Sequence, residues 1–342
     1  MDLKKLTMEL CAISGPSGFE SGVYAYASDY LRPYADEIKT DALGNFMAIR
    51  RCGKPLAKTF LLDAHMDEIG FIITAVDKDG SLRFASLGGV DARMLPAREI
   101  CVLSDPPIFG VIDTLPPHIL KEEDMDKAFD ADKLRIDVGM SQEGASKLCP
   151  PGTAAVFAGG CTELGEKQLC GKALDDRACA AILLKAFEEL SSMELDVDVC
   201  CLLSSQEEVG GRGAIVGAWN AEPDYAIVVD VTHAKTPDAP EVTMELGKGA
   251  AVGIGPNMNR GMTKELFRLA EEQGITCQPE VCPGSSGTNA EEIQVSRMGV
   301  ATALISLPIK YMHTPVETAC LDDMESILKL IIAYVGAQEV GG

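Results

Sequence analysis

A chain of 342 residues with 46% hydrophobic and 24% charged side chains is long for one domain, comfortable for two, and rich enough for a packed core. Lys and Arg total 30 against 52 Asp and Glu, so the formal charge is −22, which excludes a positive footprint for a nucleic-acid backbone and suits an acidic cytoplasmic enzyme. The start, MDLKKLTMELCAISG, lacks a signal-type apolar core and no stretch is long enough to cross a bilayer, so neither secretion nor a membrane is expected.

Leu3, Leu6, Leu10 and Cys11 mark one face of a short first helix, which stops at Ser14-Gly15-Pro16-Ser17-Gly18. A second amphipathic helix is predicted over 20–34, with Val23, Ala27, Tyr30 and Leu31 inward. Residues 37–40 and 45–49 alternate as strands about a turn at 41–44, and 59–64 reads as a buried strand. That strand runs into His65-Met66-Asp67, a histidine at a strand end with an acid two residues on, as suits a metal ligand and its orienting carboxylate. Alone, the pair is weak, because most histidines are core or surface residues.

From 68 to about 161 the texture changes. Residues 71–76 and 81–86 form a hairpin signal around Asp77-Lys78-Asp79-Gly80, prolines cluster, and helical periodicity is nearly confined to 142–148. This predicts a β-rich unit inserted into the first, with domain limits at 1–67, 68–163 and 164–342. The charged tract 121–132 reads as a surface loop, and His118 lies in the insert away from the expected strand ends. The 12 cysteines are scattered without a CxxC pair, which favours reduced thiols over a cysteine zinc site.

The α/β texture returns at Gly171-Lys172-Ala173-Leu174-Asp175-Asp176-Arg177, followed by an alanine-rich helix over 178–190. Acids ahead of a helix are stabilised by its dipole, so Asp176 is expected to cap the helix or support Asp175. An apolar strand over 196–203 then breaks into Ser204-Ser205-Gln206-Glu207-Glu208 and a glycine turn. A buried strand ending in paired acids is a poor core element but a good way to hold carboxylates at the mouth of an open α/β sheet. Successive residues face opposite sides, which suits two tasks for Glu207 and Glu208. Further strands are predicted at 225–229, 250–254 and 301–307, with helices at 263–273 and 322–337. The first of these strands ends at Asp230, followed by Val231-Thr232-His233, and the last leads to His313. Trp219 is expected in the core, and His233 beside the ligands rather than among them.

Strand ends and one turn therefore supply His65, Asp175, Asp176, Glu207, Glu208, Asp230 and His313. Mixed imidazole and carboxylate donors suit Zn²⁺, Co²⁺ or Mn²⁺ better than an all-oxygen Mg²⁺ or Ca²⁺ site. A glycoside hydrolase needs two carboxyl groups facing each other across a sugar, roughly 5–9.5 Å apart, which adjacent strand residues do not supply. Its clefts also favour stacking aromatics, and the chain has 5% aromatics and 1 Trp.

The strings SGPSGFE, TDALGN, AHMDEIGF, GGVDARMLP, GKALDDR, QEEVGGRGA, VDVTH, LGKG and YMHTPVE occur in this order. Over nearly its whole length the chain resembles the deblocking or glutamyl aminopeptidases, cobalt- or zinc-dependent enzymes that include the tetrahedral aminopeptidases. The resemblance implies two divalent ions per subunit. His65 and Asp230 would hold one with Asp175, and His313 and Glu208 the other, with Asp175 bridging. Glu207 would be the general base, and Asp67 the acid that orients His65. The implied fold is a zinc-peptidase-like α/β core, a mixed sheet with helices on both faces, plus an inserted barrel-like dimerisation domain. Dimers would close into a hollow dodecamer that admits short or unfolded peptides, and the activity would be removal of N-terminal residues. An amide deacylase on the same metal core is the alternative. One departure is Asn289, where relatives carry Asp in the string GTDA; a charge is lost there near the expected substrate pocket.

Overall fold

The computed structural model describes residues 2–114, 118–119 and 130–338. Helices α1 (Leu3–Ala12) and α2 (Ser21–Leu31) lead into strands β1 (Glu37–Thr40), β2 (Phe46–Arg50) and β3 (Thr59–His65). Then come β4 (Gly70–Val76), β5 (Leu82–Leu87), β6 (Glu99–Val102), β7 (Ile108–Ile112) and β8 (Ile136–Asp137), helix α3 (Gln142–Leu148), and β9 (Ala154–Phe157). These six strands close into a barrel in the order β4-β5-β8-β7-β6-β9. Its interior is apolar, with Phe71 meeting Phe84 and Phe157 edge-on at 5.2 Å.

The chain returns through β10 (Cys161–Leu164), β11 (Gln168–Gly171), α4 (Leu174–Ser191), β12 (Asp198–Ser204), α5 (Arg212–Ala221) and β13 (Tyr225–His233). It continues with β14 (Ala250–Ile254), α6 (Arg260–Gln273), β15 (Cys277–Val281), α7 (Ala290–Gln294), β16 (Ala301–Lys310), β17 (Glu317–Cys320) and α8 (Leu321–Gly336). One mixed sheet runs β1-β2-β12-β3-β13-β16-β17-β11-β10, with β14 and β15 attached beside β16. The central strands β12, β3, β13 and β16 are parallel, so their carboxyl ends meet at one edge.

Strand alternation sends Leu62, Cys201, Ile227 and Ile305 to one face, under α1, α2, α4, α6 and α8. Leu61, Leu202, Val228 and Leu304 pack on the other face, under α5 and α7. Burial on both faces is why the central strands read as unbroken apolar runs.

Arg177, fully buried, ties the first helix to the sheet. It donates from Nε to the carbonyl of Met66 at 2.6 Å, from Nη1 to those of Leu10 and Ile13 at 2.9 Å, and from Nη2 to that of Gly15 at 3.2 Å. Buried Glu68 balances this cation and Lys172, whose Nζ donates to Glu68 Oε2 at 2.7 Å. A guanidinium tolerates such burial only when its donors all find oxygens.

Three expectations change. Helix α2 stops at Leu31 rather than 34: Arg32 keeps helical geometry as the cap, and Pro33 has no N–H with which to continue the ladder. The glycine-rich segment after Glu208 leads into a helix, α5, that periodicity does not announce. Its inner face is Gly213, Ala214, Gly217 and Ala218, and a Cβ on Gly217 would come within 2.6 Å of Leu202. Trp219 therefore points outward, 56% exposed, with the Arg297 guanidinium over its ring at 4.7 Å, not into the core. Residues 121–129 of the expected surface loop lie outside the described residues.

Candidate metal centre

The ladder pairs Asp63 of β3 with Val228 of β13, so His65 and Asp230, each two residues further on, emerge on one face of the sheet at its carboxyl edge. Glu207 and Glu208 follow β12 across a left-handed residue, Gln206 (φ 56°), and His313 follows β16. Asp175 comes from the first turn of α4, where it and Asp176 depart from helical geometry and are joined by a cis peptide. All five predicted ligands and Glu207 line one cavity of about 250 Å³.

Within it the donors form two groups that share Asp175: His65, Asp175 and Asp230, and Asp175, Glu208 and His313. The ligand atoms within each lie within 4.8 Å of one another. His65 Nε2 is 3.1 Å from Asp175 Oδ1 and 4.0 Å from Asp230 Oδ1. His313 Nε2 is 3.2 Å from Asp175 Oδ2 and 3.3 Å from Glu208 Oε1.

The other nitrogen of each ring decides what those distances mean. His65 Nδ1 sits 3.0 Å from the main-chain oxygen of Asp67, and His313 Nδ1 sits 3.0 Å from that of Gly89. A carbonyl only accepts, so Nδ1 carries the proton and a neutral ring turns the Nε2 lone pair toward the carboxylates. Lone pair facing carboxylate is repulsive unless a cation stands between them. The donor set therefore fits two metal ions, with the carbonyls fixing the tautomer of each ligand.

Without cations, protons take that role. Burial opposes a charged imidazole, yet the carboxylates of Asp175 and Glu208 push His313 up to about 11, and Asp175 and Asp67 likewise hold His65 well above its ordinary value. Burial raises Asp175, but the two histidines overcome it and hold it low. Burial and the like charge of Asp176 push Asp230 well up, with His65 opposing.

Asp67 sits beneath the paired glutamates. Its carboxylate accepts the backbone N–H of Glu207 at 2.9 Å, that of Glu208 at 3.2 Å, and the Ser17 hydroxyl at 2.6 Å. That carboxylate is also 3.4 Å from His65 Nδ1, farther than the Asp67 carbonyl. Glu207 is in neither donor group; its Oε2 lies 4.0 Å from His65 Nε2. Burial, then neighbouring Glu208 and Asp175 against the pull of His65, pushes it up to about 7.

Several supporting residues escape a sequence reading. Buried Glu317 accepts the backbone N–H of Asp175 at 3.1 Å and of His313 at 2.8 Å; its only signal is its place in the string HTPVE. Gly88 and Gly89 belong to the insert yet pack on the site, where added Cβ atoms would come within 3.0 Å of Glu208 and 2.8 Å of His313. Asp176 accepts the backbone N–H of His65 at 3.2 Å, so it anchors the end of β3 and does not cap α4. Asn289 stands next to Thr288 of the cavity wall, but its own side chain donates to Asp63 Oδ2 at 2.9 Å and Ser204 Oγ at 2.8 Å and does not line the cavity. His233 lines the cavity without belonging to a donor group, and exposed His118 lines none of it.

A family profile described as M42 glutamyl aminopeptidase matches residues 44–330. The lysyl aminopeptidase of Pyrococcus furiosus is 36% identical over 97% of this chain and 96% of its own. Among solved structures, a TET aminopeptidase from a marine sediment archaeon of the Thaumarchaeota superposes with a TM-score of 0.93 at 30% identity, covering 99% of this chain and 98% of that one. Pyrococcus horikoshii TET1 peptidase, described as assembling into a tetrahedron or a large octahedral shell, gives 0.87 at 32% identity over 98% of this chain and 100% of that one.

Proposed function

We propose, from the premise that this chain belongs to the M42 glutamyl aminopeptidase family and is a peptide-bond hydrolase, that it removes N-terminal residues from short peptides at a dinuclear metal centre. One observation carries the metal count: the two oxygens of Asp175 face two different histidines, each turned lone pair inward. His65, Asp175 and Asp230 would hold one ion, and Asp175, Glu208 and His313 the other.

Two zinc, cobalt or manganese ions, when bound, supply Lewis acidity toward the attacking water and the scissile carbonyl. The chain's own groups do the rest. Glu207, outside both donor groups, takes a proton as the water oxygen joins the carbonyl carbon, then delivers it to the leaving nitrogen as the C–N bond breaks. Burial raises its proton affinity and neighbouring cations would lower it, a balance that suits a group that must both accept and release a proton. Asp67 holds the backbone of Glu207 and Glu208 and so sets where both carboxylates stand. The acidic wall favours a substrate with a free α-ammonium group.

The barrel insert, 68–163, serves self-association, a reading supported by the assembly described for the Pyrococcus horikoshii relative and by exposed Phe109 and Val111 on β7. Among the described residues no helix is long and apolar enough to cross a membrane. The test is dialysis against a chelator followed by return of Zn²⁺, Co²⁺ or Mn²⁺, with aminoacyl-nitroanilides and N-acyl amino acids assayed side by side. Peptidase activity should vanish and return. Full activity in metal-free protein sinks the mechanism, and preference for N-acyl substrates makes the chain a deacylase.

A further inference from the structure

Beyond the two donor groups and Glu207, the cavity wall carries one more acid, Glu280, and no lysine or arginine among the described residues. Glu280 stands on β15 opposite Gly253 of β14, and Ser306 of β16 stands opposite Ala251. Only these two small residues of β14 lie between Glu280 and Ser306 by register, so the long acid side chain reaches across the strand. Its Oε2 accepts the Ser306 hydroxyl at 2.6 Å, and the Thr232 hydroxyl also donates to it. Ser306 in turn pairs with Asp230 across the β13–β16 ladder. Glu280 is thus held on the same wall as a predicted metal ligand. Burial raises its carboxyl above the ordinary value, with the Ser306 and Thr232 hydroxyls and His233 pulling the other way. A bound cationic head group would favour its ionised form.

We propose that Glu280 selects the side chain of the substrate's first residue, receiving the cationic end of Lys or Arg and rejecting Asp and Glu. This rests on the aminopeptidase reading above. A peptide whose first carbonyl lies among Asp175, Glu207 and Asp230 has its first side chain beside a wall that offers Glu280, Thr232 and Ser306. Met312 on the same wall gives apolar contact for a methylene stem, and the head group then meets the carboxylate. An acidic side chain would lie against the Glu280 carboxylate, so repulsion there adds to the sorting.

The test uses metal-loaded protein and the nitroanilides of Lys, Arg, Leu and Glu. The wild type should rank Lys and Arg above Leu, and Leu above Glu, in kcat/KM. In Glu280→Gln the Lys-to-Leu ratio should fall about 10- to 100-fold, the effect of removing one partner of a desolvated charge pair. Glu280→Asp should keep part of the preference, and Glu280→Lys should turn it toward the Glu substrate. An unchanged Lys-to-Leu ratio in Glu280→Gln, or a wild type fastest on the Glu substrate, would overturn the assignment while leaving the aminopeptidase reading intact. Failure of the wild type to cleave any of the four would overturn both.

Discussion

Asp175 presents a separate carboxylate oxygen to each of two histidines, Oδ1 to His65 Nε2 at 3.1 Å and Oδ2 to His313 Nε2 at 3.2 Å. Among the described residues no other side chain belongs to both donor groups. Asparagine has the same shape but replaces one oxygen with an N–H₂ donor, which cannot face a cation. Asp175→Asn should therefore lower the content of both ions by elemental analysis and take turnover to background. Two ions retained per chain in this variant would mean that Asp175 is not a bridge.

Glu207 and Glu208 should separate in the same measurement. Glu208→Gln should lose metal and activity together. Glu207→Gln should keep both ions while turnover drops by roughly 10²–10⁴, the usual share of general acid–base catalysis. Metal lost from the Glu207 variant but kept in the Glu208 variant would exchange the two roles.

The same glutamate predicts a pH limb. A base must be ionised to accept a proton, so kcat/KM should fall as pH drops through the Glu207 value. Burial lifts that value to about 7 without cations, and bound cations draw it back toward the ordinary carboxylate range, so the limb should lie between them. Glu207→Gln should flatten it. A limb that survives the substitution belongs to another group.

Arg177 has its guanidinium satisfied by four main-chain carbonyls and is fully buried. Arg177→Met leaves those acceptors, and the Glu68 charge, short of a partner at a cost of about 3–5 kcal/mol. Thermal unfolding should shift downward by several degrees, and Arg177→Lys should recover little because an ammonium cannot reach four carbonyls at once. A melting temperature within one degree of wild type would show that the network is dispensable.

Asn289→Asp would set a second carboxyl where Asn289 Nδ2 now lies 2.9 Å from Asp63 Oδ2. Burial already pushes Asp63 up to about 7, with Asn289 and Ser204 pulling the other way. A carboxyl whose folded-state value is raised supports folding below its unfolded value and loses that support as pH rises through the folded one. The variant should thus melt near wild type at pH 5 and clearly lower at pH 8. Its substrate ranking should not move, since the side chain bonds Asp63 and Ser204 and does not line the cavity; a changed ranking would show that the added charge reaches the pocket.

The elements were largely legible because their signals are local. Helix α3 and strand β14 stand where periodicity and composition put them, and the central strands differ only at their ends. The barrel announces itself through dense turns and missing helical period, and the acids and histidines stand out by interrupting apolar runs. Sequence order also carries the family strings, and with them the resemblance. What tertiary structure alone decides is which way a side chain faces once distant segments meet. Asp176 turns to a backbone N–H 111 residues away. Asn289 turns to Asp63 across 226. Trp219 turns outward because Gly217 and Leu202 leave its helix no room for a bulky inner face. Glu280 reaches the cavity because β14 offers only Gly253 and Ala251 between it and Ser306. Those contacts depend on ladder register and packing between residues far apart in the chain, and neither is written in any window of neighbouring residues.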